Sequence, residues 1–147
     1  MIAMLALMFI TGMPQGAVNH TSAYDNKYVR FEFTLNRANF TPGDTGTVFV
    51  FLTPNEGVHV NTEPPVEYEF EKKPHISFSA KAVMPKDSVT GYLDVQQPVS
   101  ISFTLGKKIS AGTYTIKGKM KYFFCSEKEG WCNQFIQPFI VAIHVKK

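Results

Sequence analysis

The stretch Val66-Glu67-Tyr68-Glu69-Phe70-Glu71 decides the fold. Apolar and acidic residues alternate with a period of two, so an extended chain sends Val66, Tyr68 and Phe70 to one face and the three glutamates to the other. A helix would scatter those glutamates around its circumference, so the stretch reads as a half-buried strand.

The same alternation recurs on both sides. Toward the N-terminus, Val29, Phe31, Phe33 and Leu35 alternate with Arg30, Glu32 and Thr34. The turn signal Thr41-Pro42-Gly43-Asp44 leads into residues 47–52, whose continuous apolar character predicts a more deeply buried strand. Val58-His59-Val60-Asn61 is extended before Pro64-Pro65. Toward the C-terminus, Ile76, Phe78 and Ala80 form a further strand, and residues 83–94, with Pro85 and Gly91, are expected to cross between sheets. Val99, Ile101, Phe103 and Leu105 alternate with Ser100, Ser102 and Thr104. Tyr114, Ile116, Gly118, Met120, Tyr122 and Phe124 oppose Lys117, Lys119 and Lys121, and Phe139, Val141, Ile143 and Val145 share the inner face of a closing strand. This pattern predicts an all-β chain, an immunoglobulin-like β-sandwich of seven to nine antiparallel strands; a barrel obeys the same alternation and is the alternative.

Length bounds this to one domain, 147 residues being enough for a single substantial core. Aromatic residues make up 14% of the chain, 13 of them Phe, which favours strands. The net charge of +3 comes from 15 basic and 12 acidic side chains spread along the chain, without the basic stripe of a nucleic-acid binder. Residues 1–17 differ from the rest: a nearly unbroken apolar run from Ile2 to Met13, then Pro14 and small residues to Ala17, has the pattern of a signal peptide. The expected organisation is therefore a signal peptide over 1–17 and one domain over 18–147, with a periplasmic or otherwise secreted address and a monomeric state.

Two cysteines, Cys125 and Cys132, flank six residues that include Lys128, Glu129 and Gly130, a composition suited to a turn that lets them meet. A structural bridge and an exchanging redox pair are both open at this point, as are metal binding and two free thiols. Strand parity puts Cys125 with the outward lysines, hence near the surface. Trp131, Phe123 and Phe135 beside the sulfurs belong either to the core or to a docking patch.

Other chemistries find little support. A copper site of the cupredoxin kind needs histidine close to the thiolate, and His20, His59, His75 and His144 are scattered. There is no Gly-x-Ser-x-Gly elbow, His-Glu-x-x-His helix or glycine-rich phosphate loop. No cofactor or metal is expected.

The order Gly57-Val58-His59-Val60-Asn61, Pro64-Pro65, then Tyr122, Cys125 and Cys132 in a terminal hairpin followed by Pro138-Phe139 resembles the N-terminal domain family of the thiol:disulfide interchange protein DsbD, the disulfide bond corrector family. The resemblance spans residues 27–146. It implies a periplasmic immunoglobulin-like domain passing electrons from a thioredoxin-like donor, fed by a membrane thiol reductase, to oxidised proteins. Cys125 and Cys132 would be the catalytic pair, resolving a mixed disulfide, and Tyr68 or Phe70 an aromatic cap over them. The alternative is a non-catalytic extracytoplasmic binding or structural domain with an inert disulfide.

Overall fold

Each alternating run becomes a strand in the computed structural model, which describes residues 26–147. The strands are β1 (Val29–Leu35), β2 (Thr45–Pro54), β3 (His59–Val60), β4 (Glu67–Phe70), β5 (Ile76–Phe78), β6 (Val99–Leu105), β7 (Gly112–Ser126) and β8 (Trp131–Val145). The first sheet runs β1-β2-β6-β5; in the second, β7 lies between β8 on one flank and β3 and β4 on the other. Every strand pairing is antiparallel. The described residues form an all-β, eight-stranded, two-sheet sandwich, and the predicted signal segment lies outside them.

Inward positions close the core. Val29, Phe31 and Phe33 from β1 meet Val48, Val50 and Leu52 from β2, Val99, Ile101, Phe103 and Leu105 from β6, and Ile116, Met120, Tyr122 and Phe124 from β7, all buried. Phe139 of β8 joins the sheets, its ring centroid 5.2 Å from Phe31, 5.3 Å from Phe33 and 5.6 Å from Phe70. Residues 83–94 do span the sandwich. Val83 bridges Ser100 in the first sheet, and the Leu93 N–H donates to the Val60 carbonyl in the second at 2.9 Å.

One boundary departs from expectation. The closing strand begins at Trp131 rather than Phe139 and pairs with β7 along its whole length, from Ser126↔Trp131 to Gly112↔Val145. The segment Asn133-Gln134 carries no apolar alternation, so its strand character comes from backbone pairing with a long neighbour.

Candidate functional site

The chain reverses between β7 and β8 through a tight turn in which Gly130 takes φ +71° and its N–H donates to the Ser126 carbonyl at 2.9 Å. The turn sets Cys125 directly opposite Cys132, where they form a disulfide with a Cα–Cα distance of 4.0 Å. So short a separation marks the closely spaced, non-hydrogen-bonded kind of antiparallel pair. On the other flank of β7, Cys125 lies in register with His59 of β3.

Cys125 points outward, as parity predicts, yet it is only 7% exposed. The correction comes from residues distant in sequence. Tyr92 stacks on His59 with centroids 3.6 Å apart, and Asn61 Nδ2 donates to Cys125 Sγ at 3.3 Å. Cys132, on the flanking strand, is exposed. The Tyr92 hydroxyl donates to Glu127 Oε1, tying the 83–94 segment to the hairpin turn. That bond, helped by desolvation and the carboxylate charge, raises the Tyr92 pKa above its ordinary 10.0. A raised folded-state pKa contributes stability that is present below the unfolded value and is lost as pH rises through the folded one. In Glu127→Gln, the Tyr92 titration followed by NMR is expected to move back toward 10.0; an unmoved midpoint would contradict the bond.

Tyr68 and Phe70 do not cap the sulfurs. They pair with Met120 and Gly118 of β7, so even the nearer lies five residues along that strand from Cys125. Tyr68 donates its hydroxyl to the Ser79 carbonyl at 2.6 Å, and Phe70 stacks on Phe78 at 3.8 Å, so both serve the packing between sheets. Trp131 is half-buried, 4.8 Å from Tyr28 and edge-on to Phe124, with Nε1 donating to Glu129 at 2.7 Å. Tyr28, Glu129 and Trp131 line part of a cleft of about 520 Å³ at the hairpin end. Phe123 lies on the outer face, with Lys121 Nζ 5.5 Å from its ring centre. Among the described residues no group of three His, Cys, Asp or Glu side chains could hold a metal ion.

The bridge has a stability role that a loop-entropy argument can size. Closing an eight-residue ring removes unfolded-state freedom worth about 2.5 kcal/mol. The double variant Cys125→Ala/Cys132→Ala is expected to lose about that much unfolding free energy in a urea titration while keeping the native far-UV spectrum.

A second feature, on the outer face of the same sheet, has no counterpart among the expected site residues. Three stripes run side by side. Glu67 and Glu69 on β4, with Glu71 just beyond, flank Lys121, Lys119 and Lys117 on β7, which in turn sit opposite Ile136, Pro138 and Ile140 on β8. Lys121 is held by Glu67 at 2.6 Å and Glu71 is engaged by Lys73 at 3.0 Å. The Lys73 bond, then the Lys117 backbone N–H, keep the Glu71 carboxyl below its ordinary range. Ile136 and Ile140 are 55% and 52% exposed, and β8 carries no Asp, Glu, Lys or Arg. The signal was in the chain: Ile136-x-Pro138-x-Ile140 repeats at period two, out of phase with the core set.

The fold and this surface define an antiparallel β-sandwich with an intra-sheet disulfide beside an apolar and basic outer face. No family model matches the chain, and no curated protein does. Two similar solved structures are from yeast. The GAE domain of GGA2p from Saccharomyces cerevisiae matches at TM-score 0.53 and 12% identity, over 85% of this chain and 97% of that one. The GAE domain of yeast GGA1 matches at TM-score 0.48 and 14% identity, over 86% and 98%. At such identity the likeness to the GGA2p domain is one of fold.

These findings correct the expected membership. The sandwich matches a yeast GAE domain rather than the thiol:disulfide interchange family, and the candidate aromatic cap is absent from the sulfurs. The redox relay is withdrawn, and with it the periplasmic or secreted address, which was read from the apolar run over residues 1–17 as well as from this resemblance. The thioredoxin-like donor and membrane reductase were required only by that relay.

Proposed function

We propose that this domain is a monomeric, non-catalytic binding module whose Cys125–Cys132 bridge is structural and whose docking surface is the outer side of β8. The observation that carries this reading is the pair Ile136 and Ile140, both more than half exposed on one strand beside a lysine row. Exposed apolar patches rimmed by polar side chains mark interaction sites, and here the rim is Lys117, Lys119 and Lys121. The strand order β1-β2-β6-β5 against β3/β4-β7-β8 supports an immunoglobulin-like reading, following A-B-E-D against C-F-G with strand C in two pieces. Sandwiches of this plan present flat strand faces and edges to partners.

The test is capture from extracts of the source cells on immobilised protein, comparing wild type, Ile136→Asp/Ile140→Asp and Cys125→Ala/Cys132→Ala. The surface variant changes only exposed side chains and is expected to keep its melting temperature while retaining about a tenth or less of the partner, the scale of an interface hot spot. The cysteine-free variant, assayed where it is folded, is expected to retain the partner. Loss confined to the cysteine-free variant would overturn the reading.

A further inference from the structure

The outward direction of β8 residues is fixed by their pairing. Because Cys125 and Cys132 form a closely spaced pair, so do the even-numbered residues of β8, and their N–H and C=O groups point away from β7. Contacts at the far end agree: the Phe40 N–H donates to the His144 carbonyl at 2.9 Å, on the side opposite β7. Among the described residues that is the end of the cover. From Cys132 to Ala142 no other described strand pairs with this flank of β8. The Gln134 N–H is taken by Asn133 Oδ1 at 2.9 Å, and Gln137 Nε2 donates to the Pro138 carbonyl at 3.2 Å. Pro138 has no N–H to offer.

A long edge strand invites pairing, and proteins commonly blunt such edges with proline or charge. Here the blunting is confined to Pro138, while Ile136 and Ile140 on either side keep outward backbone groups and exposed side chains. Opposite Pro138 stands Lys119, which among the described residues forms no ion pair although Glu69 is its register partner on β4. The short proline leaves its ammonium free to reach across β8. No acidic side chain of β8 competes for it.

From this arrangement we infer that β8 accepts an extended peptide segment of the pattern apolar-x-acidic-x-apolar as an added strand. The inference rests on the binding-module reading and names the chemistry of its partner. The two apolar residues pair with Ile136 and Ile140, each exchanging backbone hydrogen bonds and packing side by side on the outer face. The acidic residue between them faces Pro138, where no ladder bond is available, and its carboxylate meets Lys119. The pattern follows from three facts together: two outward isoleucines four residues apart, a proline midway, and a free lysine behind it.

The test uses the full chain, labelled with ¹⁵N, and synthetic nine-residue peptides centred on Val-Thr-Glu-Thr-Val. Saturable amide shifts centred on Ile136 and Ile140 are expected. The same peptide with Lys for Glu should bind about tenfold more weakly at low salt, attraction having become repulsion, and the difference should shrink at high salt. Methylation of both valine nitrogens should abolish binding. Equal affinity of the lysine peptide, full binding of the methylated one, or shifts centred elsewhere would overturn the inference. So would Ile136 and Ile140 amides already protected from exchange in the free protein, or a dimer in sedimentation that the peptide does not dissociate, since either puts another occupant on the edge. Failure of every peptide with surface-dependent partner capture intact would sink this inference and leave the binding module standing.

Discussion

Phe139→Ala is expected to lower the unfolding free energy by about 3–5 kcal/mol, the range for removing a large buried aromatic. Phe139 is 2% exposed and touches three rings from two other strands, Phe31 and Phe33 on β1 and Phe70 on β4. Those strands belong to both sheets, so the vacated volume lies where the layers meet and neither layer can close it without moving against the other. A domain with total stability of about 5–15 kcal/mol keeps little margin after such a loss. The midpoint of urea unfolding should fall with little change in slope. A loss below about 1 kcal/mol would mean that the sheets do not meet through this ring.

Gly46→Ala is expected to cost about 3 kcal/mol, at the upper end of what overpacking does. Gly46 faces inward on β2, and a Cβ there would sit 2.2 Å from Phe103 Cζ and 2.6 Å from Phe40 Cε1. Both rings are buried, at 1% exposure, and they pack edge to face on each other at 5.2 Å. Neither can swing into solvent, so the added methyl displaces either a core ring or the β2 backbone that pairs with both β1 and β6. The expected thermal melt is lower by about ten degrees, roughly 3–4 °C per kcal/mol in a domain of this size. Gly57→Ala is the control for a different cause: a Cβ there meets nothing within 4 Å, but φ is +80°, so any loss reflects backbone strain alone.

Which face of each strand is buried was legible because alternation is a local property. The runs at Val29, Val99 and Ile116 show their inward sets as the core of the molecule. Sheet order is not local, and nothing in residues 131–145 says that β8 lies on the flank of its sheet. The exposed stripe of Ile136 and Ile140 therefore reads in sequence as ordinary strand chemistry and becomes a surface only once the topology is known. The cover over Cys125 escaped for the same reason, since Tyr92 reaches His59 from a segment crossing between sheets. The motif residues behind the family resemblance do meet, His59 lying in register with Cys125. A bridge across a hairpin beside a paired strand arises from sandwich geometry itself, and so does not specify redox work.

The most direct measurement is amide hydrogen exchange of the full chain with and without the partner that the immobilised domain captures. A binding module working through β8 should show protection concentrated at Ile136, Ile140 and Ala142, with the amides around Cys125 and His59 unchanged. Protection centred on the Cys125–Cys132 bridge, with the β8 amides exchanging as fast as in the free protein, would contradict the account.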